Sequence, residues 1–234
     1  MKLALLGYGK MGKTIERLAN ERGHSIVFKS SSNMSQGSIN ESDVAIDFST
    51  PKTAARNIKA CLELGIPVVS GTTGWLKDYD EVIKFCEYSN GSFIYASNFS
   101  IGVNLFFNLN QQLAQIMRPW EAYKVSIEEI HHIQKKDAPS GTAISIAEGI
   151  MKHSSKTGWK LNEAEEDAIE ITAKRIDTVH GLHEVVYASE IDSISIKHEA
   201  HSREGFAIGA IVAAEWLQSK KGVFTMKDVL RLDT

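Results

Sequence analysis

Residues 128–143 read Glu-Glu-Ile-His-His-Ile-Gln-Lys-Lys-Asp-Ala-Pro-Ser-Gly-Thr-Ala and form the densest polar cluster in the chain. His131 and Lys135 are side chains that can deliver a proton in an enzyme site. Pro139 stops the strand pattern before it, and Ser140, Gly141 and Thr142 open a helical pattern running through Ala143, Ile144, Ala147 and Ile150. Unpaired N–H groups at such a helix start hold a carboxylate. Candidate acids beside an anion cradle describe proton transfer to a bound acid, whereas a solvated run of charges is the plain alternative. No metal site is expected, because His131 and His132 are strand neighbours and point to opposite faces. His180, His183, His198 and His201 are scattered, and His198, on the strand face of Ile194 and Ile196, reads as packed.

The elements around this cluster differ between the two halves of the chain. In the second half, Val125–His132, Val185–Ala188 and Ser193–Ala200 read as strands without clear helices between them, which predicts a separate α+β domain. Lys152–Asn162 and Glu163–Asp167 read as a solvated excursion. Phe206–Leu217 is a final helix rich in small residues, with Ala207, Ala210, Ala213 and Ala214 suited to close packing.

The first half alternates strand and helix. Lys2–Leu6 reads as a buried strand, Gly7-Tyr8-Gly9-Lys10-Met11-Gly12 as a glycine turn, and Ile15, Leu18 and Ala19 as the face of a helix. Strands follow at Ser25–Lys29, Asp43–Asp47, a return within Leu62–Ser70, and Phe93–Tyr95. Thr50 is placed to cap a helix with Pro51 at its first position, and Gly71-Thr72-Thr73-Gly74 to open another. The fold class is α/β, a doubly wound parallel sheet over 1–99 plus 207–234, with a second α+β domain over 100–206.

Gly-x-Gly-x-x-Gly between a first strand and a helix is a dinucleotide-binding fingerprint, in which glycines admit the pyrophosphate to the backbone. Gly7, Tyr8, Gly9, Lys10, Met11 and Gly12 are therefore cofactor candidates. So are Phe48, Gly71, Thr72, Thr73, Ala96, Ser97, Asn98 and Phe99, which follow later strands of the same sheet. Where an acidic ribose contact is usual, about 20 residues on, stand Lys29-Ser30-Ser31-Ser32; Lys29 and Ser30 suit a 2′-phosphate, so NADPH and NADH are both expected. Asn33–Asn40 reads as a turn-rich loop that could remodel this corner.

Composition narrows the partners. With 26 basic and 29 acidic residues the net charge is -3, which gives no general attraction to nucleic acid or anionic lipid. No apolar run reaches the roughly 18 residues of a membrane span, and Leu3–Leu6 is too short for a signal segment; a cytoplasmic location is expected. Cys61 and Cys86 fall in helical stretches and read as reduced, packed thiols.

The segment EEIHHIQKKDAPSGTA resembles the signature of the 4-hydroxy-tetrahydrodipicolinate reductase (dihydrodipicolinate reductase) family. GYGKMG, DFSTP, GTTGW, SNFSIGVN and HEAHSREGFAIGA resemble its other blocks in order, so the likeness covers nearly the whole chain. It implies NAD(P)H-dependent reduction in the diaminopimelate route to lysine, a Rossmann domain, a substrate-binding and oligomerisation domain, and a homotetramer. Carried over by position, His131 matches the proton donor/acceptor, Lys135 the proton-donating lysine, and His132, Ser140, Gly141 and Thr142 the dicarboxylate-binding segment. A shortened stretch after the second strand and the missing ribose acid depart from the pattern and bear on cofactor choice. Another Rossmann-type amino-acid or aldehyde dehydrogenase, or a non-catalytic NAD(P)-sensing protein, is the alternative; an acyl-forming aldehyde dehydrogenase would need a cysteine in its cleft.

Overall fold

A computed structural model of the chain describes residues 1–232. They divide into two compact units, residues 1–101 with 204–232, and residues 102–203.

The first unit begins with β1 (Lys2–Leu6), α1 (Lys10–Glu21), β2 (Ser25–Ser31), β3 (Met34–Gly37) and β4 (Val44–Asp47). It continues with α2 (Ala54–Glu63), β5 (Val68–Ser70), α3 (Tyr79–Tyr88) and β6 (Ser92–Tyr95). The long helix α4 (Ile101–Met117) then leads into the second unit. That unit holds β7 (Lys124–His131), α5 (Gly141–Met151), β8 (Gly158–Leu161), β9 (Ala168–Arg175), β10 (Gly181–Ala188) and β11 (Ser193–Ala200). The chain returns to the first unit with α6 (Glu204–Leu217), β12 (Gly222–Phe224) and α7 (Met226–Leu230).

The first sheet has the order β12-β6-β5-β4-β1-β2-β3 and is parallel except for β3. Its central strands β1, β4, β5 and β6 are buried on both faces because both are covered. Leu3, Leu5, Val44, Ile46, Val69 and Ile94 pack into one core with α1, α6 and α7, while Ala4, Leu6, Ala45, Val68 and Phe93 pack into the other with α2 and α3. Alternation along each strand divides the residues between the two cores. On α6 a Cβ at Gly209 would lie 1.7 Å from the Phe99 carbonyl oxygen, so the helix sits directly on that backbone.

The second sheet has the order β11-β10-β7-β9-β8. Here β10 runs antiparallel to both β7 and β11, whereas β9 runs parallel to β7 and β8. Phe106, Ala114 and Met117 of α4 and Ala143, Ile146, Ala147 and Ile150 of α5 pack with Ile127, Ile169, Ile171, Val185 and Tyr187 of the sheet.

Several expectations need correction. Residues 33–40 are not simply a loop: β3 folds back on β2, pairing Phe28 with Gly37 and Ser31 with Met34. Thr50 does not cap a helix that starts at Pro51. The Thr50 carbonyl instead accepts from the Thr53 and Ala54 N–H groups, and α2 begins at Ala54. The glycine-threonine turn at 71–74 leads into a short 3-10 turn, Leu76–Asp78, before α3. Residues 152–167 are not merely a solvated excursion: they carry β8, and β9 follows where no strand is expected. Among the described residues no helix is long and apolar enough to cross a membrane.

Candidate active site

In the first unit the chain runs from β1 to β2 on one side of the sheet and later places β4 on the other side of β1. Ligands bind open α/β sheets at such a switch point, beyond the C-terminal ends of the strands. Gly7, with φ +96°, turns the chain there; a Cβ on it would lie 2.1 Å from the Phe48 carbonyl oxygen. The N–H groups of Gly7 and Tyr8 both donate to the Ser30 carbonyl, at 2.9 and 2.8 Å, so Ser30 fixes the turn through its backbone. A Cβ on Gly12 would lie 2.6 Å from the Gly7 oxygen, whereas one on Gly9 would meet nothing within 4 Å. Gly9 precedes α1, whose start has no side-chain cap, so the first-turn N–H groups from Lys10, Met11 and Gly12 face the open space beside Gly9. That arrangement fits a pyrophosphate.

The other loops of this edge are stiffened from within. Asp47 is fully buried and accepts hydrogen bonds from Ser70 Oγ (2.9 Å) and Thr72 Oγ1 (2.8 Å) on one oxygen and from Asn57 Nδ2 (3.3 Å) on the other. Burial raises its carboxyl pKa against the pull of these donors. Thr72 Oγ1 also accepts from the Ser49 N–H, and the Thr72 carbonyl accepts from Trp75 Nε1, so Thr72 is a structural lock while Thr73 lies exposed. Gly71 is bare because the Phe48 ring occupies its Cβ space. Of Ala96, Ser97, Asn98 and Phe99, only Phe99 is fully buried, edge-on to Phe48 at 6.1 Å, and Asn98 Oδ1 accepts from the Ser100 N–H.

Lys29 is not the free cation expected. Its Nζ lies 2.6 Å from Glu16 Oε1 on α1 and 4.8 Å from the Tyr8 ring centroid, and Tyr8 also donates its hydroxyl to Glu16. A carboxylate thus lies against the end of β2 after all, contributed by Glu16 from the second turn of the first helix.

The second unit assembles the acid cluster around a residue the sequence reading did not single out. Glu129 on β7 is fully buried. Its Oε1 accepts from the Ser140 N–H and from Arg175 Nη2, both at 3.1 Å. Its Oε2 lies 2.9 Å from His131 Nδ1, a bent contact closer to an ion pair than to a directed hydrogen bond, and 3.8 Å from His183 Nε2. Burial pushes this carboxyl up, but His131, Ser140 and Arg175 outweigh it and bring the pKa down to about 2. His183 on β10 is itself buried, its Nε2 3.2 Å from Ser140 Oγ; burial and the neighbouring His131 push it down to about 3, so it is neutral.

His131 and Lys135 stand on this base. The His131 ring packs edge-on to His183 at 5.1 Å, and beside its Nε2 comes Gly181, where a Cβ would lie 3.2 Å away. Lys135 Nζ is held by Asp137, at 2.9 and 2.8 Å from its two oxygens, and that contact lowers the Asp137 pKa. Arg175 clamps the same loop by donating to the Lys135 and Asp137 carbonyls. His132 Nε2 accepts from Arg203 Nη2 at 3.0 Å; partial burial, then Arg203, lowers its pKa. Ser140 is buried and caps α5 through Oγ, which accepts from the Ala143 N–H. Its own N–H is taken by Glu129, which leaves exposed Gly141 and half-buried Thr142 as the open part of the helix start.

His131 and His132 do not converge on one point. The set that converges is Glu129, His131 and His183, with ligand-type atoms within 4.8 Å of one another, and the Arg175 guanidinium already supplies a cation there. The sequence reading takes Glu129 only as part of the polar run, His183 as one of the scattered histidines and Arg175 not at all, because the three come from three strands. The one available signal was the pattern Glu-x-His, which puts Glu129 and His131 on one strand face.

A parallel nucleotide-type sheet with a glycine turn at its switch point, joined to a unit bearing a buried acid–base cluster, defines an NAD(P)-dependent oxidoreductase of two units. Residues 1–99 match the family model for the N-terminus of dihydrodipicolinate reductase, and residues 102–230 match that for its C-terminus. The chain belongs to the dihydrodipicolinate reductase family. It is 57% identical to the 4-hydroxy-tetrahydrodipicolinate reductase of Christiangramia forsetii over 98% of both chains, and 36% identical to that of Alkaliphilus oremlandii over 99% of both. Among solved structures, the dipicolinate-bound dihydrodipicolinate reductase from Paenisporosarcina sp. TG-14 has the same fold, with a TM-score of 0.75 and 23% identity, covering 96% of this chain and 97% of that one.

Proposed function

We propose that the chain catalyses NAD(P)H-dependent reduction of 4-hydroxy-tetrahydrodipicolinate to tetrahydrodipicolinate, with loss of the hydroxyl as water, in the diaminopimelate route to lysine. Family membership over the full chain supports the reaction. The observation that carries the mechanism is the convergence of Glu129, His131, His183 and Ser140 beside the start of α5.

The bound dinucleotide supplies the hydride. Lys10, Met11 and Gly12, with Gly9 bare of a side chain, are the residues that would hold its pyrophosphate, and Gly71–Thr73 and Ala96–Phe99 would line the rest of its path. Reduction of the carbon–carbon double bond, conjugated to an imine, that remains once the hydroxyl has left as water also needs a proton on the carbon next to the one that receives the hydride. His131, through Nε2, and Lys135 are the groups assigned to hold and deliver it. The substrate is a dicarboxylate, and the open N–H groups of Gly141 and Thr142, with His132 and Lys135, are the partners assigned to it.

The reading carries with it a cytoplasmic homotetramer. A freshly prepared substrate solution, followed by oxidation of NADH and NADPH in parallel, tests it. Turnover with product formation supports the reading, and cofactor binding without turnover would favour a sensing protein.

A further inference from the structure

On the reading above, His131 is the group that handles the proton, and the geometry points to Glu129 as its positioning residue: a buried carboxylate that fixes which nitrogen of His131 faces the reaction and ties that ring to the loop of Lys135 and the start of α5.

A carboxylate only accepts, and a bare nitrogen 2.9 Å from Glu129 Oε2 would set two lone pairs against each other, so even this bent contact favours the proton on that nitrogen. In neutral His131 this places hydrogen on Nδ1 and leaves Nε2 bare, beside Gly181, which has no side chain to crowd it. When Nε2 takes up a proton the imidazolium forms against an anion already in place. The logic is that of a buried carboxylate behind a catalytic histidine in hydrolases.

The remaining oxygen does a second task. Oε1 accepts from the Ser140 N–H and from Arg175, and Arg175 donates onward to the carbonyls of Lys135 and Asp137. One side chain therefore sets the relative placement of His131, the Lys135 loop and the helix start. The charged and titratable groups facing His131 are Glu129 on its own strand, His183 on β10, Arg175 on β9, and His132 and Lys135 at the end of β7 and the loop beyond. Glu129 is the one anion among them, so it alone favours the protonated ring.

Two measurements test this. Nitrogen-15 NMR of the histidine side chains, with His131 assigned from the His131→Gln spectrum, is expected to show neutral wild-type His131 protonated on Nδ1. A bare Nδ1 in the wild-type protein would overturn the proposal whether or not any variant folds. The second is Glu129→Gln, whose amide can still accept from Ser140 but offers N–H to His131. It is expected to move the proton to Nε2, shift the histidine limb of the kcat/KM pH profile to lower pH by at least one unit, and lower kcat on the order of 10²-fold with KM for NADPH unchanged. Glu129→Asp, which keeps the charge, is expected to recover part of kcat. An unshifted pH profile and unchanged tautomer, with only a lower melting temperature, would make Glu129 a packing residue. Because the tautomer is read without substrate, the positioning role can hold even if the proposed reaction fails, and the reverse.

Discussion

Gly7, Gly9 and Gly12 illustrate how differently three glycines of one motif are used. The first and third are bare because backbone would collide with a side chain, and Gly9 alone faces open space. Gly9→Val is therefore expected to melt close to wild type yet bind NADPH at least tenfold more weakly in calorimetric titration; equal affinity would remove this turn from the cofactor site. At the other end of the expected cofactor path, Lys29 is neutralised by Glu16. Glu16→Gln should free it, and one partly exposed lysine–phosphate contact is worth about 1 kcal/mol, somewhat under tenfold. The ratio of NADPH to NADH affinity is expected to rise by that much, and an unchanged ratio would show that another group reads the ribose. The Lys29-Ser30-Ser31-Ser32 string displayed the missing acid, but not that a helix residue 13 positions earlier brings a carboxylate to Lys29. Contacts between elements leave no local pattern, which also hid Asp47, His183 and Arg175.

Elements with strong periodicity were legible. The residues of β1, α1, β4 and β6 carry either a continuous apolar run or a one-faced helix, and β11 was foreseen at Ser193–Ala200, its observed bounds. β3 and β8 were not, because Met-Ser-Gln-Gly and Gly-Trp-Lys-Leu are four residues long, sit in polar, turn-rich surroundings, and become strands only through a neighbour's unpaired edge. The start of α5 was readable from Pro139 and Ser140, and its cap can be measured. Ser140→Ala removes the hydroxyl that accepts from the Ala143 N–H and faces buried His183, so a loss of roughly 1–2 kcal/mol in urea unfolding is expected. A loss below a few tenths would mean that water or rearrangement replaces the cap.

Across the whole molecule, the buried cluster in the second unit makes stability depend on pH. His183 has its pKa lowered from 6.5 to about 3, so the unfolded chain binds a proton that the fold refuses. Its contribution is present above pH 6.5 and is lost progressively as pH falls toward 3. Glu129, lowered from 4.5 to about 2, adds to the loss below pH 4.5. One proton corresponds to a slope of about 1.4 kcal/mol per pH unit. Urea unfolding of wild type between pH 6 and 4 should be steeper than that of His183→Gln by close to that amount, and parallel curves would contradict the burial of a neutral imidazole. The proposed homotetramer is checked by light scattering, which should give four times the 25.9 kDa chain mass.

On the proposed function, the segment at the end of β7 performs the proton transfer of the reduction. Steady-state turnover of 4-hydroxy-tetrahydrodipicolinate by wild type, His131→Ala and Lys135→Ala, alongside their melting curves, tests it most directly. Both variants are expected to lose on the order of 10² to 10⁴ in kcat while melting near wild type. Near-normal turnover in both, with native melting, would contradict it.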